Sequence, residues 1–132
     1  MPNITLEEAS RICDAAVTKA REMGVKVSVS VVDSGQNLVT MQRMDGAIML
    51  GIEGGKGKAV ASSLFGKPSG ELEQLADRPV FRALMTQMGG KLIMGIGAIP
   101  IVKDGEVIGA CGVGGGTGQE DEDCANAGVA AL

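Results

Sequence analysis

Histidine is absent from the 132-residue sequence, and its absence removes several kinds of function at once. Without an imidazole, the chain has no Ser-His-Asp or Cys-His catalytic group, no histidine-ligated zinc and no histidine ligand for haem iron. Tryptophan and tyrosine are absent too, and the only aromatic residues are Phe65 and Phe81. The chain therefore lacks the aromatic platforms on which single-stranded nucleic acids stack.

With so few aromatics, the core has to be built from Val, Ile, Leu, Met and Ala. Hydrophobic residues make up 45% of the chain, which is enough for one folded domain over residues 1–132. Small residues, including 21 glycines, bury less area per residue than aromatics would. We therefore expect a second copy to complete the core, as a homo-oligomer.

The charge and the cysteine content indicate which kinds of partner the chain can bind and in which cellular compartment it lies. The net charge of −4 argues against nucleic acid, whose phosphates need Lys and Arg. No apolar run is long enough for a bilayer, and the N-terminal residues lack the basic and apolar regions of a signal peptide. Cys13, Cys111 and Cys124 are odd in number and lack zinc-site spacing, which predicts reduced, buried thiols in a cytoplasmic protein.

The order of predicted elements favours an α+β fold. Thr5 and Glu8 form a capping box that begins a helix ending at Gly24. Turn chemistry at 33–36 and Asp104-Gly105 indicates two hairpins, so the sheet should be largely antiparallel, in an α/β/α arrangement. The predicted strands are 26–32, 38–44, 92–94, 99–103 and 106–113, and the later helices are 47–64, 80–88 and 119–132.

The helix over 47–64 contains four glycines, each weakening it by about 1 kcal/mol relative to alanine. Such a helix must be held by packing or must let another backbone come close. Lys56 and Lys58 lie among these glycines, but the spacing does not match a phosphate-binding P-loop.

A glycine loop at 112–118 precedes the last helix and could offer backbone amides to a ligand. The acidic residues 120–123 would repel a polyphosphate there, so a neutral or carboxylate ligand fits better. The glycines could equally serve positive φ angles and tight subunit contact. The predicted ligand-binding residues are Arg43, Asp45, Lys58, Gly114, Gly115, Gly116 and Thr117.

Other interpretations of the charged residues remain open. Arg43 and Asp45 could form a strand-end ion pair instead of facing a ligand, and the ion pair is favoured on general frequency. Asp33, Asp45, Glu120, Asp121 and Glu122 could bind a hard cation, but we favour a solvated acidic helix start at 120–122. We expect no metal site, no catalytic residue, and an inert thiol at Cys111.

Several motifs together resemble the GlcG/HbpS family, also called the haem-degrading domain family, which includes the C-terminal domain of PduO-type proteins. They lie in order along nearly the whole chain, at residues 31–35, 43–47, 58–61, 99–101, 104–110, 112–115 and 121–125. The resemblance implies a profilin-like fold with a central five-stranded antiparallel sheet, assembled into dimers or larger oligomers.

The resemblance also implies ligands and a metabolic setting. Relatives bind haem or a corrinoid, and others accompany glycolate, diol or glycerol catabolism. One identity of this kind is a small protein encoded beside glycerol or diol dehydratase genes. The chain departs from the family pattern because it has no histidine and has Gly114 where relatives have serine, leaving Met88 or Met94 as weak iron ligands.

Three functions follow from these residues and this resemblance. The first is a non-catalytic small-ligand-binding or accessory protein that holds its ligand between subunits near the glycine loop. The second is a haem- or tetrapyrrole-binding protein with haem-degrading activity. The third is a small-molecule catabolic enzyme that uses Arg43, Asp45 and Lys58 for proton transfer.

Overall fold

The computed structural model describes residues 3–132, so residues 1 and 2 of the predicted domain lie outside the described part. It is an α+β fold built on a four-stranded antiparallel sheet of order β2-β1-β4-β3. The elements run α1 Leu6–Met23, β1 Ser28–Asp33, β2 Leu38–Arg43, α2 Leu50–Phe65, a 3-10 helix Ser69–Leu75, α3 Pro79–Gln87, β3 Ala98–Lys103, β4 Glu106–Gly114 and α4 Gly118–Val129.

Helices cover both faces of the sheet. Helices α1 and α4 pack against each other and on one face, while α2 packs on β4 and β1 from the other. Neighbouring residues of the central strands alternate between the two cores, as the pleat of a sheet requires. Val31 and its cross-strand partner Cys111 belong to the α1–α4 core, whereas Val32 and Ala110 belong to the α2 core.

The five-stranded sheet implied by the resemblance is wrong, because residues 92–94 do not form a strand. This short segment lies against helix α2 instead, where the Ile93 amide donates to the Gly57 carbonyl at 3.0 Å. Leu92 and Met94 are buried in the α2 core. The backbone of the segment therefore pairs with a helix and not with a strand.

Local chemistry sets several boundaries as predicted. The Thr5 hydroxyl accepts from the Glu8 amide and the Glu8 carboxylate accepts from the Thr5 amide, which confirms the capping box of α1. The β3–β4 hairpin turns at Asp104 and Gly105, both with positive φ (53° and 78°). That backbone suits an Asp-Gly hairpin turn.

Glycine-to-glycine contact joins helix α2 to strand β4. A Cβ at Gly114 would lie 2.6 Å from the Gly51 carbonyl oxygen, and a Cβ at Gly112 would collide with the Gly55 carbonyl oxygen. The two backbones therefore touch with no side chain between them. Two of the four glycines of the helix, Gly51 and Gly55, therefore let another backbone come close, which is one of the two explanations that the sequence offered.

The same contact corrects the predicted glycine loop. Gly112 and Gly114 are buried residues of β4, so the loop between β4 and α4 is shorter than 112–118. Only Gly115, Gly116 and Thr117 connect the two elements.

We predict that Gly114→Ala lowers the free energy of unfolding by about 1–3 kcal/mol or more, because the new methyl overpacks a backbone contact. Gly54→Ala is the matched control on the same helix, since a Cβ there meets nothing within 4 Å. It should stabilise the chain by about 0.4–1 kcal/mol through the unfolded state. Urea unfolding of both variants measures the difference, and equal midpoints would contradict the close helix–strand contact.

Candidate functional site

The predicted site residues gather at one end of the sheet. Ser28, the first residue of β1, is the register partner of Arg43 on one side and of Gly114 on the other. Arg43 and Gly114 therefore lie about 10 Å apart, two strand spacings across β1. We call this region the Ser28 end of the sheet. The structure thus brings together residues that are far apart in sequence.

Arg43 and Asp45 are exposed and do not bond to each other. The Arg43 Nε donates to the Ala47 carbonyl at 3.2 Å, and no ion pair within residues 3–132 joins Arg43 to Asp45. The predicted strand-end ion pair is therefore wrong. Both residues line a cavity of about 140 Å³ that Arg21, from the last turn of α1, also lines. Two guanidinium groups beside a small cavity favour an anionic group there.

The connection from β4 to α4 is tied down from within. Gly115 has a φ of 121°, a conformation that favours glycine. The Gly116 amide donates to Asp121 Oδ1 at 2.9 Å. Thr117 caps α4, because its hydroxyl accepts from the Glu120 amide while Glu120 accepts from the Thr117 amide. The Gly116 amide and the Thr117 hydroxyl thus already have internal partners.

Lys58 and Asp121 form a buried ion pair that the sequence interpretation missed. The Lys58 Nζ donates to Asp121 Oδ2 at 3.1 Å and to the Ile96 carbonyl at 3.2 Å. Their side chains are only 10% and 4% exposed. Lys58 belongs to α2 and Asp121 to α4, so the pair joins the helices on opposite faces of the sheet. The expected solvated acidic helix start is wrong for Asp121.

Gly97 lets the lysine reach across. Its φ of 146° is one that side chains rarely adopt, and a Cβ there would collide with the Lys58 ammonium. The lysine therefore passes directly over this backbone on its way to Asp121. Residues 96 and 97 form part of the path between the two helical layers.

Helical spacing in α4 carried a signal that could have revealed the buried carboxylate. Asp121, Cys124, Ala125 and Gly128 are the buried residues of α4. They follow the i, i+3, i+4, i+7 pattern of one helix face. A carboxylate on that face needs a buried cation, and Lys58 was already a candidate residue.

Burial raises the pKa of Asp121 above its ordinary value, because removal from water disfavours the charged carboxylate. The Lys58 ammonium and the Gly116 amide act in the opposite direction by favouring the charged form. The ionised carboxylate at this position therefore depends on its two partners.

A hydroxyl without a partner lies in the middle of the Ser28 end. Within the described residues, Ser28 Oγ is the buried side-chain atom that makes no hydrogen bond. A buried hydroxyl of this kind is one that a bound ligand or water satisfies. It lies in the row that connects Arg43 to Gly114.

Three consecutive apolar residues are exposed next to Arg43. Ile48, Met49 and Leu50 are 57%, 70% and 67% exposed, just before Gly51 meets Gly114. We call them the apolar trio. A contiguous exposed apolar patch is typical of a binding or assembly surface. Sequence reasoning missed the trio because its pattern fits the start of a buried helix.

The cysteines offer no reactive thiolate. Cys13, Cys111 and Cys124 are all buried. Burial raises the pKa of Cys13 to about 12 and that of Cys124 to about 11, and it raises the pKa of Cys111 well above the ordinary value. Cys111 is therefore an unreactive thiol, as expected.

Among residues 3–132, no group of three or more acidic, cysteine or histidine side chains is placed to hold a metal ion. The methionines differ in access: Met94 is 8% exposed, Met88 38% and Met49 70%. Met49 and Met88 are therefore accessible from outside the fold, whereas Met94 is enclosed.

A family model described as haem-degrading protein HbpS-like matches residues 4–130, almost the whole chain. The chain belongs to the HbpS-like family. This confirms the resemblance to GlcG/HbpS proteins, and it places the Ser28 end and the Lys58–Asp121 pair within the matched region.

Three other proteins resemble this chain in sequence or in fold. An uncharacterized 15.0 kDa protein from the dhaT-dhaS intergenic region of Citrobacter freundii is 34% identical over 120 residues, covering 89% of this chain and 84% of that protein. Protein ORFY of Klebsiella pneumoniae has a similar fold, with a TM-score of 0.91 at 29% identity over 99% of this chain and 92% of that one. A complex of PduOC with haem gives a TM-score of 0.88 at 26% identity over 99% of this chain and 96% of that one.

No helix within the described part of this HbpS-like chain is both long and apolar enough to cross a bilayer.

We predict that Lys58→Met destabilises the chain by about 3–5 kcal/mol at pH 7.5, because it leaves the Asp121 carboxylate buried without a cation. Asp121 then has a folded-state pKa raised still further above its unfolded value. When a carboxyl group has a higher pKa in the folded than in the unfolded state, the folded protein becomes less stable as the pH rises from the lower pKa to the higher one. The destabilisation caused by Lys58→Met should therefore become smaller towards pH 5. Urea unfolding at several pH values measures it.

Two further variants complete this test. Lys58→Met/Asp121→Asn should recover much of the loss and remove the added pH dependence. Arg82→Met breaks an exposed pair, Arg82 Nη2 to Asp77 Oδ1 at 3.3 Å, and should cost less than about 1 kcal/mol. A Lys58→Met cost as small as that of Arg82→Met would show that the buried pair does not hold the two layers together.

Proposed function

We propose that this HbpS-like chain is a non-catalytic small-ligand-binding or accessory protein. It works as an assembly of two or more copies, and the ligand is held between copies at the Ser28 end. The observation that supports this most directly is the exposed apolar trio beside Arg43 and Asp45. An apolar surface bordered by charges suits both a second subunit and a ligand enclosed between subunits.

The chemistry of this surface favours a ligand with an anionic group and an apolar body. Arg43 and Arg21 supply guanidinium groups at a shared cavity, and the trio supplies apolar contact. Gly115 and Thr117 are exposed and border the same end, whereas Gly114 is buried against Gly51. We assign ligand contact to Arg43, Asp45 and Gly115–Thr117, and we assign Lys58 and Gly114 to positioning this end.

The ion pair of Lys58 favours binding over catalysis. Proton transfer by Arg43, Asp45 and Lys58 would require the lysine amine to reach a substrate. Its Nζ instead donates to Asp121 and Ile96 and is largely buried. An arginine guanidinium is suited to holding an anion through its planar fork of N–H donors.

Haem is the second candidate ligand, and the PduOC–haem complex is the specific observation that favours it. The chain has no histidine and its cysteines are buried, so strong axial ligation does not fit the residues present. What fits is contact with the apolar face of a porphyrin by the trio, a thioether from Met49, and an ion pair of Arg43 with a propionate. Bound haem would supply redox chemistry, and the chain's residues would hold and shield it.

The cellular setting is also a proposal. A cytoplasmic location fits the three free thiols, because reducing compartments keep cysteines from forming disulfides. A role beside glycerol or diol catabolism fits the Citrobacter freundii relative from the dhaT-dhaS region. A corrinoid, like haem, would present an apolar macrocycle with polar side groups to the same surface.

We predict that a small metabolite from a panel of glycolate, glycerol and diol-pathway compounds raises the melting temperature of the wild-type protein. Arg43→Ala should abolish the shift, because it removes the anion-binding guanidinium. Arg11→Ala, which removes an exposed arginine paired with Glu7 on α1, should keep it. Light scattering of the same samples should give a mass of at least twice 13.4 kDa. A flat response across the panel, or a shift that survives Arg43→Ala, contradicts this assignment.

For haem, we predict a Soret band shift when hemin is added to micromolar protein. Met49→Leu keeps the volume but removes the thioether, so it should change the position of the band while leaving binding within about tenfold. Met94→Leu is the control, since Met94 is enclosed in the α2 core. No Soret change with the wild-type protein would rule out haem as the ligand.

A further inference from the structure

A second cavity lies away from the Ser28 end, between the β1–β2 turn and the middle of helix α2. Its volume is about 370 Å³, within the range of small-molecule pockets. Gln36 and Leu38 line it from the turn and β2, and Lys56 and Val60 line it from α2. Lys91, from the segment after α3, lines it as well. We call this cavity the turn pocket.

The turn side of the pocket is fixed in place. Gln36 has a φ of 63°, unusual for a residue with a side chain. Its Nε2 donates to the Ser34 carbonyl at 2.8 Å and to Ser63 Oγ at 3.3 Å, and Ser63 Oγ donates to the Asp33 carbonyl at 2.8 Å. These bonds join the turn to α2, so the two walls keep their separation.

The far side is fixed by a glycine. A Cβ at Gly57 would lie 2.6 Å from the Ile93 side chain, so the segment that carries Lys91 lies directly on α2. The Ile93 amide also donates to the Gly57 carbonyl at 3.0 Å. Lys91, two residues earlier, is thereby brought to the edge of the pocket. The packing of residues 92–94 against α2, in place of the predicted fifth strand, thus brings Lys91 to the pocket.

The lining combines positive charge with an apolar wall. Lys56 and Lys91 contribute two ammonium groups, and Glu53 contributes one carboxylate, 3.5 Å from the Lys56 Nζ. One positive charge is left over, although the whole chain carries −4. Val60 is 8% exposed and Leu38 48% exposed, so apolar surface lies beside the charges.

We propose that the turn pocket binds a small organic monoanion, a carboxylate with a short apolar body. The carboxylate would lie between Lys56 and Lys91, whose single excess charge a monoanion balances. The apolar body would cover Leu38 and Val60, which favours an organic acid over inorganic phosphate. This site is separate from the proposed site at Arg43, and neither depends on the other.

Butanoate is the probe, followed by two-dimensional NMR of the uniformly labelled full chain. We expect saturable shifts of the Gly57 and Asn37 amides with butanoate, and much smaller shifts with butanamide or inorganic phosphate. Lys56→Gln and Lys91→Gln should each weaken binding about three- to tenfold. Lys19→Gln removes a lysine of α1 as the matched control and should change nothing.

Three results would overturn the proposal. The first is an absence of saturable shifts with butanoate. The second is an equal response to butanamide, which would show that the charge is not recognised. The third is unchanged binding in both lysine variants.

Discussion

The contact between the backbones of helix α2 and strand β4 is the constraint on which the other features depend. Gly51 and Gly55 of the helix lie against Gly112 and Gly114 of the strand with no room for a methyl group. These contacts therefore fix the distance of helix α2 from the sheet and its rotation about its own axis. That position sends Lys58 towards Asp121, leaves the apolar trio exposed before Gly51, and presents Lys56 and Val60 to the turn pocket.

The buried ion pair connects what the sheet separates. Helices α2 and α4 lie on opposite faces, and Lys58 reaches Asp121 by passing over Gly97. Asp121 in turn holds the Gly116 amide, so one carboxylate links α2 to the connection between β4 and α4. A buried ion pair gives little net stability compared with apolar packing, but removing one of its two partners is strongly destabilising because the other charge is left buried and unpaired. Its contribution at the Ser28 end is to fix geometry.

Short-range chemistry in the sequence predicted much of the fold. Thr5 and Glu8 correctly predicted the start of α1, and Asp104-Gly105 correctly predicted the last hairpin. Both predictions were possible because caps and tight turns depend on residues within four positions of one another. The Thr117–Glu120 capping box obeys the same rule and was overlooked. Residues 92–94 were misassigned because their apolar run fits a strand, and only the distant Gly57 decides where it lies. The proximity of Arg43 to Gly114 and the burial of Asp121 also depend on residues far away in sequence, so local patterns alone could not establish them.

The burial of the three thiols determines how readily the cysteines are oxidised. Each lies in the α1–α4 core, and burial raises the pKa of each, so the folded molecule presents almost no thiolate to an oxidant. Oxidation of the cysteine sulfurs must then wait for the core to open. The rate at which the three cysteines are oxidised is therefore set by how often α1 and α4 separate from the sheet, and the packing of small residues there protects the thiols.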